Sequence, residues 1–271
     1  KRGRSFRHFA EFVDAKKPKA FVAENVKGLL TANKGKAIDV IIKDFETIAP
    51  GYVVKPHLYN FAEYGVPQFR ERVLIVGIRK DTGFNFVHPK PICGPSTDKP
   101  YFTAGEALEG VEAVPFNNEP LGCKEKTRQM LELIPEGGNF TDIPKDSPLY
   151  VKGMISHVYR RINRNEPAKT IIAAGGGGTW GYHYPEPRPL TNRERARLQS
   201  FPDDFVFSGN ITEVRRQIGN AVPPEGVRLV ARRLMPLFTG EYEPVDLEKE
   251  FEELKKLSVQ ERLERINNEM E

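Results

Sequence analysis

The chain has 271 residues, of which 39% are apolar, 10% aromatic and 29% charged, and a formal net charge of +4. This excludes a disordered or fibrous chain and leaves room for a large core in one or two domains. No apolar run approaches the roughly 18 residues of a membrane span, no apolar signal core follows the basic start Lys1-Arg2-Gly3-Arg4, and Cys93 and Cys123 lack the spacing of a metal site or a disulfide framework.

The charge is uneven. Residues 241–271 hold eleven Asp/Glu against five Lys/Arg, so the rest of the chain carries +10. A basic body fits either a polyanionic partner such as nucleic acid or a plain solvated face. With few cysteines, the expected compartment is a reducing cytoplasm.

Phe6, Phe9, Phe12 and Val13 recur at helical spacing and predict a helix over 5–16, ended near Lys17-Pro18. Ala20–Glu24 reads as a short buried strand at the centre of a sheet. Ile38, Ile41, Ile42, Phe45 and Ile48 mark a second helix, stopped by Pro50-Gly51. Tyr52–Tyr59 and Val73–Ile78 read as strands, the second apolar enough for the middle of a covered sheet. The order predicts an α/β layout. Residues 85–150 alternate Pro, Gly and short apolar runs, which predicts irregular structure with small strands and one helix near Lys124–Leu133. Residues 168–174 (AKTIIAA) read as a strand leading into Gly175–Gly178. Thr191 with Glu194 forms a capping box that opens a helix, another runs through 212–218, and a third starts after Pro223-Pro224. In the acidic tail Leu247, Phe251, Leu254 and Leu257 share a helical face, and Ser258 with Glu261 caps a second short helix. The tail reads as a helix docked on the body, with a partner-binding arm as the rival. Deletion of 245–271 is expected to leave activity intact.

Four stretches carry candidate chemistry. In FVAENVKGLL (21–30) an apolar run stops at Glu24-Asn25, where ligands gather in an open α/β sheet. A half-buried carboxyl there would have a raised pKa and could donate a proton to a ring nitrogen, or it could cap a turn. In VPQFRERV (66–73) Gln68, Arg70 and Arg72 alternate onto one face, suiting phosphates or carbonyl oxygens, unless Glu63 or Glu71 pairs with them. Arg193, Arg195 and Arg197 line the capped helix within 188–205. In RRQIGNAVPP (215–224) a Gly-Asn turn leads into a Pro-started helix that could hold an anion.

In this order, Glu24-Asn25-Val26, Gln68-x-Arg70-x-Arg72, Arg188-x-Leu190-Thr191 with Arg197-Leu198-Gln199-x-Phe201-Pro202-Asp203, and Gln217-x-Gly219-Asn220-Ala221-Val222-Pro223-Pro224 resemble the DNA (cytosine-5) methyltransferase family. The resemblance spans about residues 5–238. It implies an S-adenosyl-L-methionine-dependent, Rossmann-like α/β catalytic domain with its N-terminal part missing and a smaller, mostly β or irregular target-recognition domain inserted. The implied divisions are 1–100 catalytic, 101–190 recognition, 191–218 hinge, 219–240 a return helix and 241–271 an acidic tail. Matched by motif, Glu24 and Asn25 would be the acid and its neighbour in the target-base pocket. Arg70 and Arg72 would lie near the flipped cytosine and its backbone, and Asn220 with the Ala221 backbone would touch S-adenosyl-L-methionine.

The implied activity is methylation of cytosine C5 in a duplex DNA site, as in bacterial restriction-modification, in the cytoplasm on DNA. The family's nucleophilic Pro-Cys loop and Gly-rich cofactor turn lie upstream of Glu24, and neither occurs in these residues. The expected partners are double-stranded DNA and an N-terminal segment or subunit carrying the catalytic cysteine. The alternative is a recognition subunit of a split enzyme, inactive alone. Cys93 and Cys123 read as ordinary cysteines. The basic and aromatic texture of 151–197 fits major-groove reading, with Gln68, Arg160, Arg161, Arg164, Gly176, Gly177, Trp180 and Arg193 as candidate DNA contacts. Trp180 reads equally as a core anchor, and Gly175–Gly178 as a hairpin tip. No Lys-Ser/Thr follows those glycines, so they are not a nucleotide P-loop.

Overall fold

The structure is a computed structural model and describes residues 4–153, 158–173 and 181–270. In chain order its elements are α1 (Arg4–Lys16), β1 (Ala20–Val26), α2 (Lys36–Glu46), β2 (Tyr52–Asn60), β3 (Glu71–Arg79), α3 (Ala104–Leu108), α4 (Glu125–Leu133), α5 (Asn192–Leu198), α6 (Ile211–Asn220), α7 (Pro224–Thr239), α8 (Glu248–Lys256) and α9 (Val259–Glu269). They divide into two compact units. The first holds 1–60, 71–90 and 228–271, and the second holds 61–70 and 91–227.

The first unit is built on a three-stranded sheet in the order β1-β3-β2, with both neighbours antiparallel to β3. The apolar run Val73–Ile78 takes the middle place because both its faces are buried. Gly77 sits opposite Phe21 in this register. A Cβ there would lie 2.1 Å from the Phe21 ring, so the ring occupies the space a side chain would need. Phe21 and Phe45 stack with centroids 4.2 Å apart, and Phe9 meets both edge-on, which joins α1, α2 and the sheet in one core. Among the described residues β1 pairs with β3 alone, and Val22 and Val26 are exposed.

The acidic tail is part of this unit. α8 and α9 pack against β2, with Phe251, Leu254, Val259 and Ile266 buried. The ammonium of Lys55, on β2, lies 2.7 Å from Glu250 and 3.6 Å from Glu269. Arg262 meets Glu46 at 2.7 Å with both side chains buried. The tail is docked on the body, as the sequence suggests: its Glu250 and Glu269 compensate Lys55 on the sheet, and its Arg262 compensates Glu46 on α2.

The second unit packs α3, α5 and α6 around Ala104, Leu190, Ala196, Leu198, Val214 and Ile218. A smaller cluster gathers Met130, Leu131, Phe140, Val158 and Tyr182 by α4. The capping box expected at Thr191 and Glu194 is present. The strand expected over 168–174 is not. Residues 168–173 make one parallel bridge, Ala168 to Gln68, because only the short stretch Pro67–Phe69 pairs with them. Among the described residues of 101–190 there are helices and isolated bridges but no strand, against the β content expected there.

Candidate active site

In the first unit the antiparallel register of β1 and β3 sets Glu24 opposite Leu74 and Val26 opposite Arg72. Alternation then places Glu24 and Arg72 on one face as diagonal neighbours. Arg72 Nε donates to Glu24 Oε1 at 2.8 Å, with the side chains 14% and 28% exposed. A charge-assisted bond of this length holds the carboxylate in one place while leaving it reachable. Arg72 Nη1 donates to the Glu71 carbonyl at 2.8 Å, which fixes the other end of the guanidinium. Asn25 faces away, and its side-chain oxygen accepts the Val26 N–H at 2.9 Å. An exposed Lys27–Glu71 pair at 2.7 Å flanks the group.

Gln68 and Arg70 precede β3, in the second unit, and both are buried. Arg70 donates to the carbonyls of Ile171 (3.1 Å), Gly219 (2.9 Å) and Ala221 (3.0 Å). Gln68 donates to the Leu198 carbonyl at 3.0 Å and accepts the Ile171 N–H at 2.8 Å. The expectation that Arg70 meets the cytosine or its phosphates is thus corrected. Its fork is engaged by backbone carbonyls on both sides of Asn220, which makes it a positioning residue for that turn. Gln68 is likewise interior, tied to two backbone groups, and is not placed to touch DNA.

Gly219-Asn220 are the last residues of α6, not a separate turn as expected. A Cβ on Gly219 would stand 2.2 Å from the Ala173 nitrogen, so two backbones meet there. Asn220 is exposed and Ala221 half-buried, and Ala221 N–H closes the helix on the Gln217 and Ile218 carbonyls. The Asn220 amide is thus exposed at the end of a helix whose flanking carbonyls, Gly219 and Ala221, are held by Arg70.

The remaining expected DNA contacts separate by burial. Arg193 is fully buried and donates to the carbonyls of Phe116, Pro202 and Phe205 at 2.9–3.1 Å. Arg161 is buried and donates to His183, Leu131, Ile134 and Tyr184 carbonyls. Burial lowers the affinity of both for their protons. Both are corrected to interior ties between loops. Arg164 is exposed but holds Glu136 through both oxygens at 3.1 Å and lies over the Tyr184 ring. Arg160 is half-buried and makes no ion pair with a described residue. Gly176, Gly177 and Trp180 lie outside the described residues.

Cys93 is buried, its Sγ 3.1 Å from the Ala62 carbonyl, and burial pushes the Cys123 thiol up. Sequence reasoning missed the Glu24–Arg72 pair, although opposite charges at the ends of two apolar strands were its signal. It also missed a buried polar group on β2. Lys55 and His57 interrupt an otherwise apolar run, and His88 joins them, with Tyr59 Oη 2.5 Å from its Nδ1.

Known proteins identify the family to which these residues belong. The family model for C-5 cytosine-specific DNA methylase matches residues 1–235. The type II methyltransferase M.NgoFVII of Neisseria gonorrhoeae is 66% identical over 268 residues, covering 98% of this chain and 71% of that protein. M.BbvI of Brevibacillus brevis is 44% identical, covering 92% of this chain and 67% of its own length. Among solved structures, a prophage-encoded E. coli protein described as a DNA modification methyltransferase has the same fold, with a TM-score of 0.65 at 22% identity over 88% of this chain and 75% of that one. The chain belongs to the C-5 cytosine-specific DNA methylase family, whose methyl donor is S-adenosyl-L-methionine.

Proposed function

We propose that the protein methylates C5 of a cytosine flipped out of a specific duplex DNA site, as a type II modification enzyme, with Glu24 and Arg72 meeting the base. The observation that carries this is the Glu24–Arg72 pair at the carboxyl end of β1, ordered yet partly exposed. Cytosine C5 is a weak nucleophile. Addition of a thiolate to C6 makes C5 enamine-like and builds negative charge toward N3. A carboxyl at N3 neutralises that charge, and Arg72 sets its direction. C5 then takes the methyl group, a base removes the C5 proton, and the thiolate is expelled. S-adenosyl-L-methionine would supply the methyl and leave as S-adenosyl-L-homocysteine, and Asn220 with the Ala221 backbone would hold it. The attacking thiolate comes from a Pro-Cys loop that these 271 residues do not contain, and the N. gonorrhoeae relative extends beyond the matched stretch.

The base must leave the stack before any of this occurs, at a cost of a few kcal/mol. Residues 101–190 read the site, with Arg160 as one of the cations that meet the DNA. Glu24→Gln keeps the shape of the side chain and removes its acid. It is expected to cut methyl transfer by about 10²–10⁴-fold and leave specific DNA affinity within a few-fold. Unchanged turnover in Glu24→Gln overturns the role given to Glu24.

A further inference from the structure

The second unit holds a cavity of about 400 Å³, bounded by Gly137, Asn139, residues 160–163 and 166–172, Gly181 and Arg195. Arg195 projects to it from α5 and is only 1% exposed. Its Nε has one long contact, 3.4 Å to the Leu190 carbonyl, and its Nη2 is buried with no hydrogen-bond partner. A buried guanidinium is costly unless an anion or acceptors compensate it. Glu194, beside it in sequence, is already engaged by Arg188 through two bonds of 2.9 and 2.7 Å. Burial and then the neighbouring Arg215 charge pull Arg195 down to about 9, so it stays cationic at neutral pH.

The rest of the lining points the same way. Arg160 makes no ion pair with a described residue, and Lys169 is exposed, its ammonium over the Phe69 ring. The Asn139 and Asn163 side-chain oxygens accept from nearby backbone, which turns their amide N–H groups to use as donors. Arg161 also lines the cavity, but its donors are engaged by carbonyls. Glu166 is the one carboxylate in the lining. Three cations without an ion-pair partner among the described residues, Arg195, Arg160 and Lys169, therefore line the cavity with one acid.

We propose that this cavity is a phosphate-binding site, in which the oxyanion sits against Arg195 with Arg160 and Lys169 closing on it. A volume of about 400 Å³ exceeds a lone phosphate and admits a phosphate with its flanking sugar. A DNA phosphodiester and free phosphate share this chemistry. The DNA source rests on the proposed function, and the free-phosphate arm does not.

The test titrates inorganic phosphate into the whole protein at constant ionic strength, read by thermal unfolding and by ³¹P line width. A duplex carrying the target site is then added as competitor. The expected result is a saturable rise in Tm and a broadened phosphate line that the duplex releases. Arg160→Gln/Lys169→Gln, both at solvent-reachable positions, is expected to weaken phosphate at least tenfold. It should also lower the salt slope of DNA binding by about one to two. Arg195→Leu removes the buried charge, so it should fold at least as well and lose the phosphate-induced shift. No saturable effect of phosphate on the wild type overturns the site. Phosphate binding that the duplex does not displace, with an unchanged salt slope, overturns the DNA source. Loss of methyl transfer in Glu24→Gln together with no phosphate effect separates the two readings, keeping the proposed function and rejecting this one.

Discussion

Arg262 on α9 and Glu46 at the end of α2 form an enclosed ion pair in the first unit, and removing one partner should cost much more than removing both. Arg262 Nη1 lies 2.7 Å from Glu46 Oε1 and 3.4 Å from the Val54 carbonyl, and the side chains are 3% and 5% exposed. Arg262→Met leaves the Glu46 carboxylate buried without its cation, a loss of about 3–5 kcal/mol. That is a large part of the roughly 5–15 kcal/mol that holds a typical domain folded. The double variant Glu46→Leu/Arg262→Met leaves neither charge and should return to within about 1 kcal/mol of the wild type, or exceed it, since the pair's desolvation is no longer incurred. Urea unfolding of the wild type, both single variants and the double gives the coupling energy directly. A loss under about 1 kcal/mol in Arg262→Met, or a double variant as unstable as the sum of the singles, refutes the account of α9 as a compensated part of the core.

Two further outcomes follow from the same unit. Truncation before residue 245 removes Phe251, Leu254 and Ile266 from the core and strips Lys55 and Glu46 of their partners, so the shortened protein should be insoluble or lack a cooperative thermal transition. A folded, soluble truncation contradicts this. Acid should also weaken the unit. Burial lowers His57 to about 4, opposed by the hydrogen bond its ring donates to the Asn267 side chain, and burial holds His88 well below its ordinary value. The unfolded chain therefore takes up protons that the folded one refuses. Stability is full above about pH 6.5 and falls as pH drops toward about 4, by roughly 3 kcal/mol from His57 alone. Unfolding free energies measured between those limits should lose much of this slope in His57→Phe. An equal slope in that variant contradicts the assignment.

Some of this was legible because local physics and tertiary structure agree. Val73–Ile78 reads as a central strand since every residue of it is apolar, and it is buried on both faces. The capping boxes at Thr191 and Ser258 mark helix starts because the bonds are made within four residues. Residues 168–173 misled because an apolar run shows burial without showing a pairing partner. The arginines misled for a related reason. A guanidinium suits a phosphate and a fan of carbonyls equally well, and only the fold decides. Arg70, Arg161 and Arg193 ended on carbonyls, whereas Arg72 found a carboxylate across the sheet. Arg193, Arg195 and Arg197 could not all share one face, because alternate positions of a helix diverge by about 200°. At least one had to point inward, a signal that was present and that leads to the Arg195 cavity. The acidic tail looked detachable because its composition is that of a solvated surface. Its function as counter-charge to Lys55 and Arg262's place beside Glu46 are set by residues about two hundred positions away.

The most direct test of the central claim is to give the whole protein S-adenosyl-L-methionine labelled in the methyl group and duplex DNA, then identify the labelled nucleoside from wild type and Glu24→Gln. The account predicts label in 5-methylcytosine from the wild type and a loss of about 10²–10⁴-fold in the variant. Label on an exocyclic nitrogen, or equal 5-methylcytosine from both proteins, contradicts it.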